Sequence, residues 1–188
     1  YRQNAKRVEL VYEFKNYDEY LSSLKMIGEI WPFQEEQFDR ISQLINKTNQ
    51  FNLTTKRYTR NEVEIFSQDN NFITQYGRLI DKFGDNGIVS IMLGKIEGST
   101  CYIDLWLMSC RVLKRGFEQA MLDSFIRQCK SRNIGKLVGE YIPTKKNKMV
   151  EDHFQKMGFS LIENQIWQLD ISDYKFINKN IRINDAIE

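Results

Sequence analysis

Two glycine turns, Gly84-Asp85-Asn86-Gly87 and Glu97-Gly98-Ser99, divide the middle of the chain into three apolar runs near residues 72–81, 88–96 and 100–109. Runs separated by turns this short close as successive hairpins, so the centre of the fold is three antiparallel strands. Upstream, Met26 to Phe33 reads as a short strand, ended by Pro32 and Gln34. Phe38, Ile41, Leu44 and Ile45 then recur at helical spacing, and Thr59-x-x-Glu62 is a capping-box pattern opening a second helix through Val63, Ile65 and Phe66. Downstream, Phe117, Met121, Leu122, Phe125, Ile126 and Cys129 form the buried stripe of a long helix that begins after Gly116. Leu137 to Ile142 is a strand closed by Pro143; Val150, Phe154 and Met157 mark a helix with Gly158 at its C-terminal cap. Phe159 to Ile162 and Trp167, Leu169 and Ile171 make a last pair of strands. The order predicts an α/β protein with a central mixed, mostly antiparallel sheet flanked by helices.

The 188 residues suffice for one substantial core. Residues 26–188 carry it; residues 1–25, with helical patterns at Ala5 to Tyr12 and Tyr17 to Leu24 on a charged background, read as a helical lead-in or interdomain linker. No apolar run approaches the roughly 18 residues of a spanning helix, and the N-terminus has no signal-peptide pattern, so the expectation is no membrane and a cytoplasmic location. An odd cysteine count, Cys101, Cys110 and Cys129, fits reduced thiols. His153 is the only histidine and there is no Cys-x-x-Cys pair, so no metal is expected. A net charge of +2 argues against nucleic acid, although Arg111, Lys114 and Arg115, and Lys145, Lys146 and Lys148, form two local basic clusters.

Two patterns tie this order to a known fold. Asn147-x-x-Val150-x-x-x-Phe154-Gln155-Lys156-Met157-Gly158-Phe159 resembles the N-x-x-A-x-x-x-Y-x-K-x-G-F ending of the GNAT, or acyl-CoA N-acyltransferase-like, fold. Arg111-Val112-Leu113-Lys114-Arg115-Gly116 stands between a strand and a long helix, where that fold keeps an R/Q-x-x-G-x-G/A pyrophosphate loop. Such a loop offers backbone N–H groups at an electropositive helix end. Only Gly116 of the glycines remains, and Lys114 and Arg115 stand where charge could meet phosphate instead.

Asn46-Lys47-Thr48-Asn49-Gln50-Phe51-Asn52-Leu53-Thr54-Thr55-Lys56-Arg57-Tyr58-Thr59 is an unusually polar connector between two helices. Together with Asp104-Leu105-Trp106-Leu107-Met108-Ser109-Cys110-Arg111-Val112-Leu113 it is similar to FkbH-like proteins, over nearly the whole chain to about Asn164. The resemblance implies a GNAT-like domain that follows a HAD-type phosphatase-like domain, whose aspartate-pair motif is absent here. Tyr1 in place of a methionine agrees with a C-terminal portion of a longer protein. It also implies transfer of a small polar, glyceryl-type acyl unit to the phosphopantetheine thiol of an acyl carrier protein in polyketide biosynthesis. Coenzyme A or carrier-protein phosphopantetheine is then the cofactor.

The candidate residues follow. Asp104, on the strand before the loop, is a candidate base or else a carboxylate paired with a neighbouring cation. Cys110, beside Arg111, is a candidate nucleophile or else an inert buried thiol. Arg111, Val112, Leu113, Lys114, Arg115 and Gly116 are candidate cofactor contacts. Asn147 either bonds the pantetheine arm or fixes the start of its helix. Asn49, Gln50, Asn52 and Thr55 are candidate substrate contacts, with helix capping the structural alternative. Phe154 stands where many GNAT enzymes have tyrosine and has no proton for a departing thiolate. Two alternatives to carrier-protein loading are a non-catalytic module that docks an acidic carrier protein, and an N-acetyltransferase using acetyl-CoA. An open cleft lined by Asp104, Ser109 and Cys110 favours catalysis; a cleft filled by side chains favours docking.

Overall fold

The computed structural model describes residues 2–185. Two helices, α1 (Arg2–Val11) and α2 (Tyr17–Ser23), lead into β1 (Met26–Trp31), followed by α3 (Phe38–Lys47) and α4 (Arg60–Gln68). Next come β2 (Phe72–Asp81), β3 (Gly84–Glu97) and β4 (Thr100–Met108), then α5 (Phe117–Ser131) and β5 (Lys136–Glu140). A four-residue helix α6 (His153–Lys156) precedes β6 (Ser160–Glu163), β7 (Ile166–Asp170) and β8 (Ile181–Asp185). The strands form one sheet in the order β6-β7-β5-β4-β3-β2-β1-β8. The pairings β4–β5 and β1–β8 are parallel; all the others are antiparallel.

Gly98-Ser99 closes the β3–β4 hairpin as expected, but the β2–β3 hairpin turns at Lys82-Phe83, and Gly84-Asp85-Asn86-Gly87 lies inside β3, paired with the end of β2 through register shifts. The Thr59–Glu62 capping box forms with both of its hydrogen bonds. Both faces of the sheet are covered, which is why β3 reads Ile88-Val89-Ser90-Ile91-Met92-Leu93 with little alternation. On one face α3 and α4 pack Phe38, Ile41, Leu44, Ile45 and Val63 against Ile91, Leu93, Leu105 and Leu107. On the other, α5 contributes Phe117, Met121, Leu122 and Phe125 to a core that also holds Met92, Cys101, Ile103 and Trp106. The helix lies close because Gly77 and Gly94 have no side chains; a Cβ at Gly77 would collide with Met121 and Phe117, and one at Gly94 with Cys101 and Phe125.

The structure departs from the sequence reading in three places. Ile65, expected on the buried side of α4, is 60% exposed, because Val63 and Phe66 face the sheet and Ile65 turns away. The strand β8 was not anticipated: Ile181-Arg182-Ile183-Asn184-Asp185 is short and half polar, and its only strand partner is β1, some 150 residues upstream. Residues 2–24 are more than a charged lead-in, since Tyr20, Leu21 and Leu24 enter the main core. None of the helices in the described residues is long and apolar enough to cross a membrane.

Arg7 of α1 is buried as well, and it meets Asp81 at the end of β2 through Nε at 2.6 Å and Nη2 at 2.8 Å. Arg115 Nη1 donates to the same carboxylate at 3.0 Å, and the Phe83 amide adds a fourth bond at 2.9 Å. Burial by itself pushes the Asp81 carboxyl up, but the Arg7 hydrogen bonds, the Phe83 amide and the two guanidinium charges outweigh it and hold it below the usual value. This group ties α1, β2 and the loop before α5 together. Because the folded value is lowered, the pairing stabilises fully above the ordinary aspartate pKa of about 3.9 and is lost as pH falls through the lowered one. Asp81→Asn leaves two buried guanidiniums without a counter-charge, and is expected to cost about 3–5 kcal/mol at pH 7. Urea unfolding followed from about pH 6 down to about pH 3 should show a steeper loss of stability in the wild type than in Asp81→Asn; parallel curves would contradict this assignment.

Candidate functional site

The site is shaped by what happens to β4 after its first four residues. Leu93 pairs with Leu105 and Gly94 with Ile103, so Asp104 is an extra residue, a bulge facing β3. On its other side β4 pairs with β5 only from Thr100 to Ile103. Beyond that point the two parallel strands part, and β4 is left with an edge that must find hydrogen bonds elsewhere.

It finds them in the α3–α4 connector. Leu53 N donates to Trp106 O at 3.1 Å and Met108 N to Phe51 O at 3.0 Å, placing Asn52 opposite Leu107 in an antiparallel bridge. Thr54 Oγ1 donates to Asp104 O at 2.8 Å, and from the β5 side Ile142 N donates to Leu53 O at 2.9 Å. Residues 51–54 thus lie between the separated strands. Asn52 and Leu53 are fully buried, as is Asn147. Asn147 Nδ2 donates to Asn52 O and Ile142 O, both at 2.9 Å, and its Oδ1 accepts from Thr144 N at 2.7 Å. Asn52 in turn donates to Thr48 O and accepts from the amide of Thr55, whose φ of 54° is left-handed. The side chains of Asn52 and Asn147 therefore bond to backbone groups inside the wall of the site, and Thr55 contributes its amide to Asn52.

Behind this segment His153 packs edge-on against Phe51 and Trp106, with ring centroids 4.9 and 4.3 Å away. Burial lowers its pKa to about 3, so the imidazole is neutral. Phe154 fills the space left by Gly139, where a Cβ would strike its ring, so this residue packs the β5–α6 interface.

The bulge residue Asp104 accepts from Lys56 Nζ and Tyr58 OH, each at 2.5 Å. Burial and the Asp104 hydrogen bond push the Tyr58 phenol well up, so it stays protonated. Asp104 is thus held by a cation and a phenol. Four residues of strand, about 13 Å at 3.3 Å per residue, separate it from the end of β4, so it and Cys110 do not share one centre.

The loop after β4 divides by side-chain direction. Ser109 caps a short turn, its Oγ accepting from Arg111 N and Nε. Cys110 and Arg111 are exposed, Val112 is fully buried and Leu113 half-buried. Lys114, at φ 62°, points to solvent while its carbonyl accepts from Tyr17 OH. Arg115 turns inward to Asp81 and to Arg111 O, so its charge is not free to meet a phosphate. Gly116, at φ 78°, opens α5 without a side-chain cap. Glu118 stands in the first turn; burial raises its pKa, and its Oε2 has no hydrogen-bond partner among the described residues.

A cavity of about 850 Å³ opens on the α3 side of this loop. Cys110 and Ser109 line it together with Asn49, Gln50, Arg40, Lys47, Arg111, Lys145 and Lys146. No carboxylate lines it, and among the described residues none of its five cations makes a salt bridge. Burial, and after it the nearby charge of Arg111, lower the pKa of Arg40, as expected for guanidiniums gathered without a counter-ion. Of the sequence candidates, Cys110, Arg111, Asn49 and Gln50 come together here. Arg40 and Lys47 were missed: with Leu44 they follow i, i+4, i+7 spacing along one stripe of α3, a pattern that shows a shared face without showing what the face meets. Among the described residues there is no cluster of three or more metal-ligating side chains.

No protein-family model matches the sequence, and no curated protein matches it either. Solved structures do resemble it. The ribosomal-protein-S18-alanine N-acetyltransferase of Escherichia coli superposes with a TM-score of 0.58 at 11% identity, over 79% of this chain and 97% of its own. A GNAT-family acetyltransferase of Staphylococcus aureus Mu50 gives 0.57 at 13% identity, over 77% and 99%. The yncA protein of Salmonella typhimurium, solved with acetyl-CoA, gives 0.57 at 10%, over 80% and 96%. At these identities the likeness speaks for architecture, a mixed sheet flanked by helices, and the chain has the GNAT fold.

Proposed function

We propose that this domain is an acyltransferase that takes its acyl group from a pantetheine thioester, with Cys110 at the cavity rim receiving it. The observation that carries the reading is an exposed thiol on a concave surface whose charged lining residues are all cations, none of them in a salt bridge among the described residues. Attack of Cys110 Sγ on the thioester carbonyl forms one C–S bond as the pantetheine C–S bond breaks. The proton released by Cys110 goes to the departing sulfur, so the exchange is balanced and nearly isoenergetic. The tetrahedral oxyanion develops among Arg40, Arg111, Lys47, Lys145 and Lys146, where positive charge favours it. Asn49 and Gln50 offer donors and acceptors to a small polar acyl unit such as glyceryl. An acidic acyl carrier protein presenting its phosphopantetheine arm suits Lys145 and Lys146, and a preceding HAD-like domain is the partner that the FkbH-like resemblance suggests.

The fold shared with N-acetyltransferases favours a second reading, acetyl transfer from acetyl-CoA to an amine. It calls for a base, for which Asp104 on β4 is the candidate, and for protonation of the departing thiolate, to which Phe154 contributes nothing. Intact-mass measurement after incubation with acyl-pantetheine thioesters separates the two. The wild type and Asp104→Asn should gain one acyl group, and Cys110→Ala none. Amine acetylation by acetyl-CoA at equal rates in wild type and Cys110→Ala, with a loss of about a hundredfold or more in Asp104→Asn, would establish the second reading instead.

Docking of an acidic carrier through the cavity rim also has a kinetic signature, because surface charge acts mainly on association rate. Lys145→Glu combined with Lys146→Glu should slow association with an acidic carrier protein by about tenfold at low salt, and added salt should bring the two proteins' rates together. Equal rates at low salt would remove these lysines from the partner surface.

A further inference from the structure

The gap between β4 and β5 is the place in this fold where a ligand with amide groups could add to a free strand edge. Here that edge has no vacancy. Trp106 O, Met108 N and Ile142 N are all bonded to residues 51–53, the bulge carbonyl of Asp104 is taken by Thr54, and Asn147 ties Asn52 O to Ile142 O from within the core. Leu53 is fully buried and Phe51 nearly so, packed against His153, so displacing the segment would expose apolar surface and orphan buried amides together. In the neighbouring loop before α5, Arg115 is committed to Asp81 and its charge is not available to a phosphate.

From this we infer that residues 51–54 are a permanent internal strand in the β4–β5 gap, latched by Asn147, and that a thioester arm reaches Cys110 over the α3 face through the cationic cavity. The inference rests on the acyl-transfer reading of Cys110 for its second half only. It makes Asn147 a positioning residue that acts on the site by holding Asn52, Leu53 and, through them, the cavity wall formed by Asn49 and Gln50.

Amide hydrogen exchange of the full chain, read at Leu53, Met108 and Ile142, tests it, with coenzyme A and an acyl-pantetheine thioester as probes. In the wild type these amides should exchange as slowly as those of the β2–β3 ladder, and millimolar coenzyme A should leave them within about twofold, while the thioester still acylates Cys110. Asn147→Ala should quicken exchange at Leu53 and Ile142 by tenfold or more relative to the β2–β3 amides. Because the wild-type measurement stands alone, failure of that variant to fold does not remove the test. Coenzyme A that speeds exchange at Leu53 while Met108 stays protected would mean that the arm replaces the segment, overturning the inference. Unchanged exchange without any Cys110 adduct would overturn the acyl-transfer reading and leave the closed gap intact.

Discussion

The unpaired edge of β4 sets most of what surrounds it. A buried strand must hydrogen-bond its amides and carbonyls on both sides, and parting from β5 after Ile103 deprives Trp106 and Met108 of a strand partner. The α3–α4 connector answers that demand with Phe51 O and Leu53 N. Once it lies there its own polar groups need partners in a dry interior, which accounts for two fully buried asparagines, Asn52 and Asn147, bonding to backbone on either side. The same insertion packs His153 edge-on against Phe51 and keeps it uncharged.

The connector also decides where chemistry can occur. With the gap between strands filled, the open ground lies at the end of β4, where Ser109, Cys110 and Arg111 meet α3 and the Lys145–Lys146 turn. Charge is partitioned accordingly. Arg7 and Arg115 are neutralised by Asp81 in the interior and support the fold, whereas among the described residues no carboxylate pairs with the cavity cations. Arg111 and Arg115, four residues apart in one loop, fall on opposite sides of that division. Uncompensated positive charge around a concave surface is costly unless an anion visits it, which is why the cavity, rather than the helix end before α5, is the ground on which the functional reading stands.

Features written in local sequence were legible without the structure. Gly98-Ser99 specified one hairpin, Thr59 and Glu62 specified a helix start, and the apolar spacing from Phe117 to Cys129 specified which face of α5 is buried; the other hairpin turns at Lys82-Phe83, just before the glycine-rich stretch that marked it. The polar connector was recognisable as unusual, but its amides suggested a ligand where the structure shows Asn52 and Thr55 bonding within the chain. The strand β8, the inward turn of Arg115 and the gathering of Arg40 with Lys145 and Lys146 left no local trace.

Sequence alone therefore determined the order and type of most elements from β1 to β7, and the presence of a thiol and several cations after the third central strand, because caps and periodic burial are properties of neighbouring residues. Only the tertiary structure decided which of those groups meet. Asn52 and Asn147 are 95 residues apart and Arg7 and Asp81 are 74 apart, yet each pair is joined by direct hydrogen bonds. Such contacts form because a buried edge or a buried charge must be satisfied, and the partner that satisfies it is chosen by the way the whole sheet and its helices pack.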